Sequence, residues 1–186
     1  AVKLLGGENT APSYFDAFSD ACCDKLPGID VPALEPGKYH YFPVTDDELK
    51  YRFAQGDSRY ILLSLPTHSQ GSYPIRLRSF IREHKHQGVE HGVFFPQLVT
   101  LDRDKKPLRI FTGPLLKYHA ETWTAHAYLE GFFQVERMEE EGEHYLLINT
   151  SREILAQSSS IEDEKGPITI MHMPIGSIEL EVLVEE

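Results

Sequence analysis

From Lys38 onward the apolar positions of this chain recur mainly at every second residue, the period of a strand with one dry and one wet face. Ile75-Arg76-Leu77-Arg78 is the cleanest instance, predicting Ile75, Leu77 and Ile81 inside and Arg76, Arg78 and Arg82 outside. Near the start the rhythm differs. Tyr14, Phe15, Phe18, Ala21 and Cys22 fall on an i, i+3, i+4, i+7 spacing. That spacing predicts a short N-terminal helix, capped by Ser13, favoured by Asp16 in its first turn and stopped at Pro27-Gly28. Residues 1–12 carry no period and read as a loose leader, which leaves 13–186 as a single domain.

The remaining segments read as short strands separated by turn chemistry. Lys38 to Phe42 ends at Pro43, and Leu49 to Ala54 and Tyr60 to Leu65 flank a turn at Gln55-Gly56-Asp57-Ser58. Val93 to Leu101 is one long apolar run, closed by the polar turn Asp102 to Pro107 and answered by Leu108 to Phe111. Tyr118 to Tyr128 and Gly131 to Arg137 follow, then the acidic tip Glu139 to Glu143 and the strand Tyr145 to Asn149. Arg152 to Gln157 suits a short helix, and the Ser/acidic stretch up to Gly166-Pro167 reads as the most mobile loop. Ile168 to Met171 and Ile178 to Val182 make a final alternating pair. About ten strands at regular spacing, with no internal repeat and no interdomain linker, predict a mainly β fold: an antiparallel β-sandwich of jelly-roll type.

Composition narrows the function classes. With 186 residues, 41% apolar and 25% charged, the chain can bury a continuous core. A formal net charge of −11 argues against nucleic acid and against anionic membrane surfaces, both of which need a basic patch. No apolar run approaches the ~20 residues of a membrane span. The sequence begins at Ala1, so this end speaks neither for nor against export. Two adjacent cysteines, Cys22 and Cys23, read as a structural pair with one side chain in and one out, since a bridge between neighbours would be a strained ring. A reactive pair is the lesser reading, because Asp20 and Asp24 would raise a thiol pKa.

Candidate chemistry is sparse. Gly56-Asp57-Ser58 matches an esterase nucleophile block, but Ser58 runs into strand-like sequence and no Asp-x-x-His block follows, so a β-turn is expected there. His84, His86 and His91 are the candidate metal ligands, set in a polar loop that makes the metal reading the weaker one. Acidic residues cluster in turns, as a solvated surface would have them, and no pair is set across a cleft for glycoside hydrolysis. No cofactor and no catalytic residue are expected. The aromatics are the remaining signal. Trp123, with Tyr118 and Tyr128 nearby, could stack on a sugar while Arg76 and Arg78 hydrogen-bond its hydroxyls. The competing and favoured expectation puts Trp123 in the core.

Four strings together resemble a known family: Pro74-Ile75-Arg76-Leu77-Arg78-Ser79, Val93-Phe94-Phe95-Pro96-Gln97-Leu98-Val99-Thr100-Leu101-Asp102, Leu129-Glu130-Gly131 and Tyr145-Leu146-Leu147-Ile148-Asn149-Thr150. Their order and spacing resemble the maltose operon periplasmic proteins, the MalM family, and the Cys22-Cys23 segment and the closing Pro174 to Leu180 fit its ends. The resemblance implies a periplasmic location, an association with maltodextrin uptake and no assigned activity or site residue. Together with the absent catalytic constellation, it predicts a non-catalytic accessory or binding protein whose partner is an oligosaccharide or an envelope protein. The alternative is a structural or interaction domain with no small-molecule ligand.

Overall fold

The computed structural model describes residues 22–23, 25–26, 31–53, 56–67, 71–83, 91–111, 116–137, 141–164 and 166–184. Fifteen strands and one short helix account for most of them. The largest sheet joins β1 (Tyr39–Val44), β15 (Gly176–Val182), β5 (Ser72–Phe80), β11 (Tyr128–Glu136) and β10 (Lys117–His119), in that spatial order. A second sheet runs β4 (Ile61–Ser64), β12 (Tyr145–Asn149), β8 (Gln97–Leu101), β9 (Pro107–Phe111). A third joins β13 (Ser158–Asp163), β14 (Gly166–Met173), β7 (His91–Phe94) and β6 (Arg82–Glu83), and a hairpin is made by β2 (Lys50–Phe53) and β3 (Gly56–Arg59). All of these pairings are antiparallel except β14 with β7. Helix α1 (Arg152–Leu155) starts where Ser151 Oγ accepts the Ile154 N–H at 3.2 Å.

The first two sheets face each other. Ile75 and Leu77 of β5, Phe133 and Val135 of β11, and Ile178 and Leu180 of β15 meet Leu63, Leu98, Phe111, Leu146 and Ile148 from the second sheet. Each such buried apolar side chain contributes ~1.5–3 kcal/mol. The alternation read in β5 holds: Ile75, Leu77 and Ile81 are buried, while Arg76, Arg78 and Arg82 keep solvent contact. Pro43 is accommodated inside β1 because β1 lies at a sheet edge, where a missing N–H breaks no ladder.

The second sheet is buried on both faces. Leu62, Val99, Leu101, Ile110 and Leu147 pack away from the first sheet, under Phe53, Tyr60, Leu26 and the two cysteines. A third cluster, Ile81, Val93, Phe95, Leu129, Ile154 and Ile170, fills the space beside the third sheet.

Several expectations are corrected. Residues 13–21 of the expected N-terminal helix lie outside the described residues, and Cys22, Cys23, Lys25 and Leu26 adopt bends and a turn instead. Cys22 and Cys23 are joined to each other by a disulfide and both are buried, because a ring closed between neighbours keeps both sulfurs on one side. Gly56-Asp57-Ser58 is strand rather than turn: Ser58 is buried, its hydroxyl donating to Arg59 O at 2.7 Å and accepting Thr150 N–H at 3.0 Å.

The apolar run from Val93 is two strands in different sheets, broken at Phe95-Pro96. The Ser/acidic stretch expected as a loop is β13, paired with β14. β14 and β15 pair with other strands and not with each other, since the chain changes sheet between them. Of the expected strand 118–128 only β10 and the start of β11 are strand, and 120–127 form a connecting loop. The polar turn at Asp102 is as expected: its Oδ1 accepts the N–H groups of Asp104 and Lys106, both at 2.8 Å.

Candidate functional site

Strand alternation sends one set of side chains from the largest sheet into the core and the other set outward. Register aligns the outward set in rows across the strands. One row is Tyr41 (β1), Glu179 (β15), Arg78 (β5), Glu130 (β11) and Lys117 (β10). A neighbouring row brings Tyr39, Glu181, Arg76 and Phe132 together, and another places Phe80, Tyr128 and His119 side by side.

The charged members are tied to one another. Arg78 Nε donates to Glu130 Oε2 at 2.8 Å and its Nη1 to Glu179 Oε1 at 3.2 Å. Burial works against the Arg78 charge, but the Glu130 hydrogen bond, Tyr128 and the two carboxylates outweigh it and hold the guanidinium above its usual pKa. Arg76 is paired with Glu181 and donates to Tyr39 Oη at 2.8 Å. Arg82 reaches Ser177 Oγ at 3.3 Å and Tyr41 Oη at 3.4 Å.

The rings form a trail across the same face. Tyr41 and Phe80 have centroids 6.2 Å apart, Phe80 and Tyr128 6.1 Å, and Tyr128 and His119 4.8 Å, the last pair nearly parallel. Arg78 lies 4.9 Å from the Tyr128 centroid and Arg76 5.3 Å from that of Tyr39, within cation–π range. Tyr39 and Tyr41 are exposed although large and aromatic.

Sequence reasoning placed three of its five ligand candidates on this face: Arg76, Arg78 and Tyr128. Tyr118 is not among them, because it alternates inward opposite Leu129 and packs on the third cluster. Trp123 is not in the core as expected. It stands fully exposed in the loop between β10 and β11, in a turn closed by Thr122 N–H to Ala125 O at 2.9 Å. That loop leaves the sheet beside His119 and Tyr128. The reading missed Tyr39, Tyr41, Phe80 and His119, and the carboxylates that pair the arginines. A usable signal was present: Glu179-x-Glu181 has the same two-residue spacing as Arg76-x-Arg78.

Of the metal candidates, His84 and His86 lie outside the described residues and His91 opens β7. Among the described residues no group of three or more His, Cys, Asp or Glu is arranged to hold a metal ion. Glu143, expected at a solvated tip, is instead buried. It accepts from Arg109 Nε at 2.6 Å, from Thr100 Oγ1 at 2.5 Å and from Glu136 N at 2.7 Å.

The fold and this face define a mainly β protein of several antiparallel sheets whose largest sheet displays an aromatic, ion-paired surface. The profile of the family described as maltose operon periplasmic protein precursor (MalM) matches residues 55–182, and the chain belongs to that family. Membership implies a periplasmic protein associated with the maltose operon. No curated protein and no solved structure matches the chain. Among the described residues no helix is long and apolar enough to cross a membrane.

Proposed function

We propose that this protein is a non-catalytic periplasmic binding module whose outer sheet face, extended by Trp123, takes a carbohydrate of the maltodextrin kind. The observation that carries the reading is Trp123 itself. A large apolar ring held wholly in water is normally hidden unless something else covers it. It stands in the loop that joins His119, the last residue of β10, to Tyr128, the first of β11, the pair on which the trail of rings ends. Membership in a maltose-operon family supports the choice of sugar.

We also read the two facing sheets as a jelly roll. The orders β1-β15-β5-β11 and β4-β12-β8-β9 support this, because the chain alternates between sheets in the way two interleaved Greek keys require. Jelly rolls include lectin domains, a likeness of architecture only.

Calorimetry with a maltodextrin series tests the proposal, with wild type and Trp123→Ala compared. Heat on titration that is lost or strongly reduced in Trp123→Ala is the expected result. No heat and no thermal shift with any member of the series would end the sugar reading. A second reading, an envelope protein as partner, is favoured by one observation: exposed Tyr39 and Tyr41 beside Arg76 and Arg82 have the Tyr/Arg composition of protein-binding hot spots. It predicts a partner recovered from envelope extract by wild type and lost with Tyr41→Ala, without a response to sugars.

A further inference from the structure

We infer that the outer face of the largest sheet takes a linear, uncharged oligosaccharide laid across the strands, and not a mono- or disaccharide; this rests on the carbohydrate reading above. Three features carry it.

The first is shape. The ring trail Tyr41, Phe80, Tyr128, His119 starts on the edge strand β1 and ends on the opposite edge strand β10. Neighbouring strands lie ~4.8 Å apart, so the four intervals of this sheet span about 19 Å. The loop joining β10 to β11 carries a further exposed ring, Trp123. A sheet face has no walls, so a small sugar would keep most of its surface in water, whereas small-molecule sites bury 70–90% of their ligand, typically. Binding free energy per ligand atom is bounded, so an open face gathers affinity by length.

The second is charge. Arg78 is compensated by Glu130 and Glu179, and Arg76 by Glu181. An acidic ligand would meet these carboxylates, on a chain already carrying −11. A sugar hydroxyl both donates and accepts, and an Arg–Glu pair offers an acceptor beside a donor. The pairs therefore match a neutral polyol better than an anion.

The third is order. The paired side chains are partly buried and fixed from two or three sides, as Arg78 is by Glu130, Glu179 and Tyr128. Groups already held in place lose little freedom when a ligand arrives.

The test is a titration of glucose, maltose and the linear series to maltoheptaose, on wild type, Tyr41→Ala and Trp123→Ala. A carboxylated oligosaccharide of matched length serves as the charged comparison. Affinity is expected to climb by roughly tenfold or more from maltose to the longest chains. Each end variant is expected to weaken binding and to flatten that climb, with the longest chains losing most. Equal affinity for maltose and maltoheptaose, or tighter binding of the charged chain, would overturn the inference and leave the carbohydrate reading standing. Absence of binding by every sugar would overturn both.

Discussion

Arg109 and Glu143 form a bidentate pair, Nε to Oε1 at 2.6 Å and Nη2 to Oε2 at 2.7 Å, that clasps the two facing sheets together. Arg109 belongs to β9 of the second sheet and also donates to Gln134 O of β11 in the first, at 2.6 Å. Glu143 in turn accepts the Glu136 N–H of β11 and the Thr100 hydroxyl of β8. A carboxylate this deep is stable only because every oxygen is engaged.

Glu143→Ala should therefore destabilise the fold by about 3 kcal/mol or more, since it leaves the Arg109 cation facing the sheet interior without its counter-charge. Glu143→Gln, which keeps the shape and most acceptors, should cost less. Urea denaturation of the three proteins measures both, and equal stability of Glu143→Ala and wild type would refute the clasp.

Next to it, Gly142 has φ +97° and a side-chain carbon added there would come within 2.6 Å of Glu136 O. Gly142→Ala is expected to lose more than about 1 kcal/mol. The loss should appear as a lower urea midpoint with an unchanged slope.

Trp123 gives the cheapest check. As the single tryptophan, fully exposed, it should be quenched by iodide almost as efficiently as the free amino acid. Trp123→Ala should change stability by no more than about 0.5 kcal/mol. Weak quenching would remove the ring from the proposed sugar face.

His172 predicts a pH dependence. Its ring stacks on Phe95 at 4.0 Å, its Nδ1–H donates to Ile154 O at 2.9 Å, and Nε2 accepts the Ser159 hydroxyl at 2.9 Å. Burial lowers its pKa, partly offset by the Ile154 carbonyl. The unfolded chain thus takes up a proton at this position near pH ~6.5 while the folded one resists until lower pH. The contribution of His172 is complete above that value and is lost as pH falls toward the folded pKa. Wild type should lose more Tm than His172→Gln between about pH 7.5 and 5.5. Parallel Tm profiles for the two proteins would contradict this.

How much of this was legible depended on how many faces of each strand meet water. Ile75-Arg76-Leu77-Arg78 was readable because β5 has one dry face and one wet one. Val93 to Leu101 was not, because β8 is covered on both sides and leaves no period to read. Gly56 and Asp57 looked like a turn, and the burial of Ser58 against the Thr150 amide is invisible locally. Glu143 looked like one more surface acid, because its partner Arg109 lies 34 residues away. Thr122-Trp123-Thr124 alternates like a strand, yet it closes a turn. At the candidate site the arginines could be placed outward from alternation, while Tyr128 was named only as an aromatic near Trp123. Their carboxylates could not be assigned, since Arg78 and Glu179 are 101 positions apart.

The largest sheet places β15 between β1 and β5, so that Tyr39 is registered against Glu181 and Arg76 against the same residue from the other side. A ribosome or translocation pore must release nearly the whole described sequence before this neighbour arrives. Until then two hydrogen-bonding edges wait open. Such distant closure is the kind of topology that folds in milliseconds to seconds rather than microseconds. In the meantime those bare edges invite pairing with other chains.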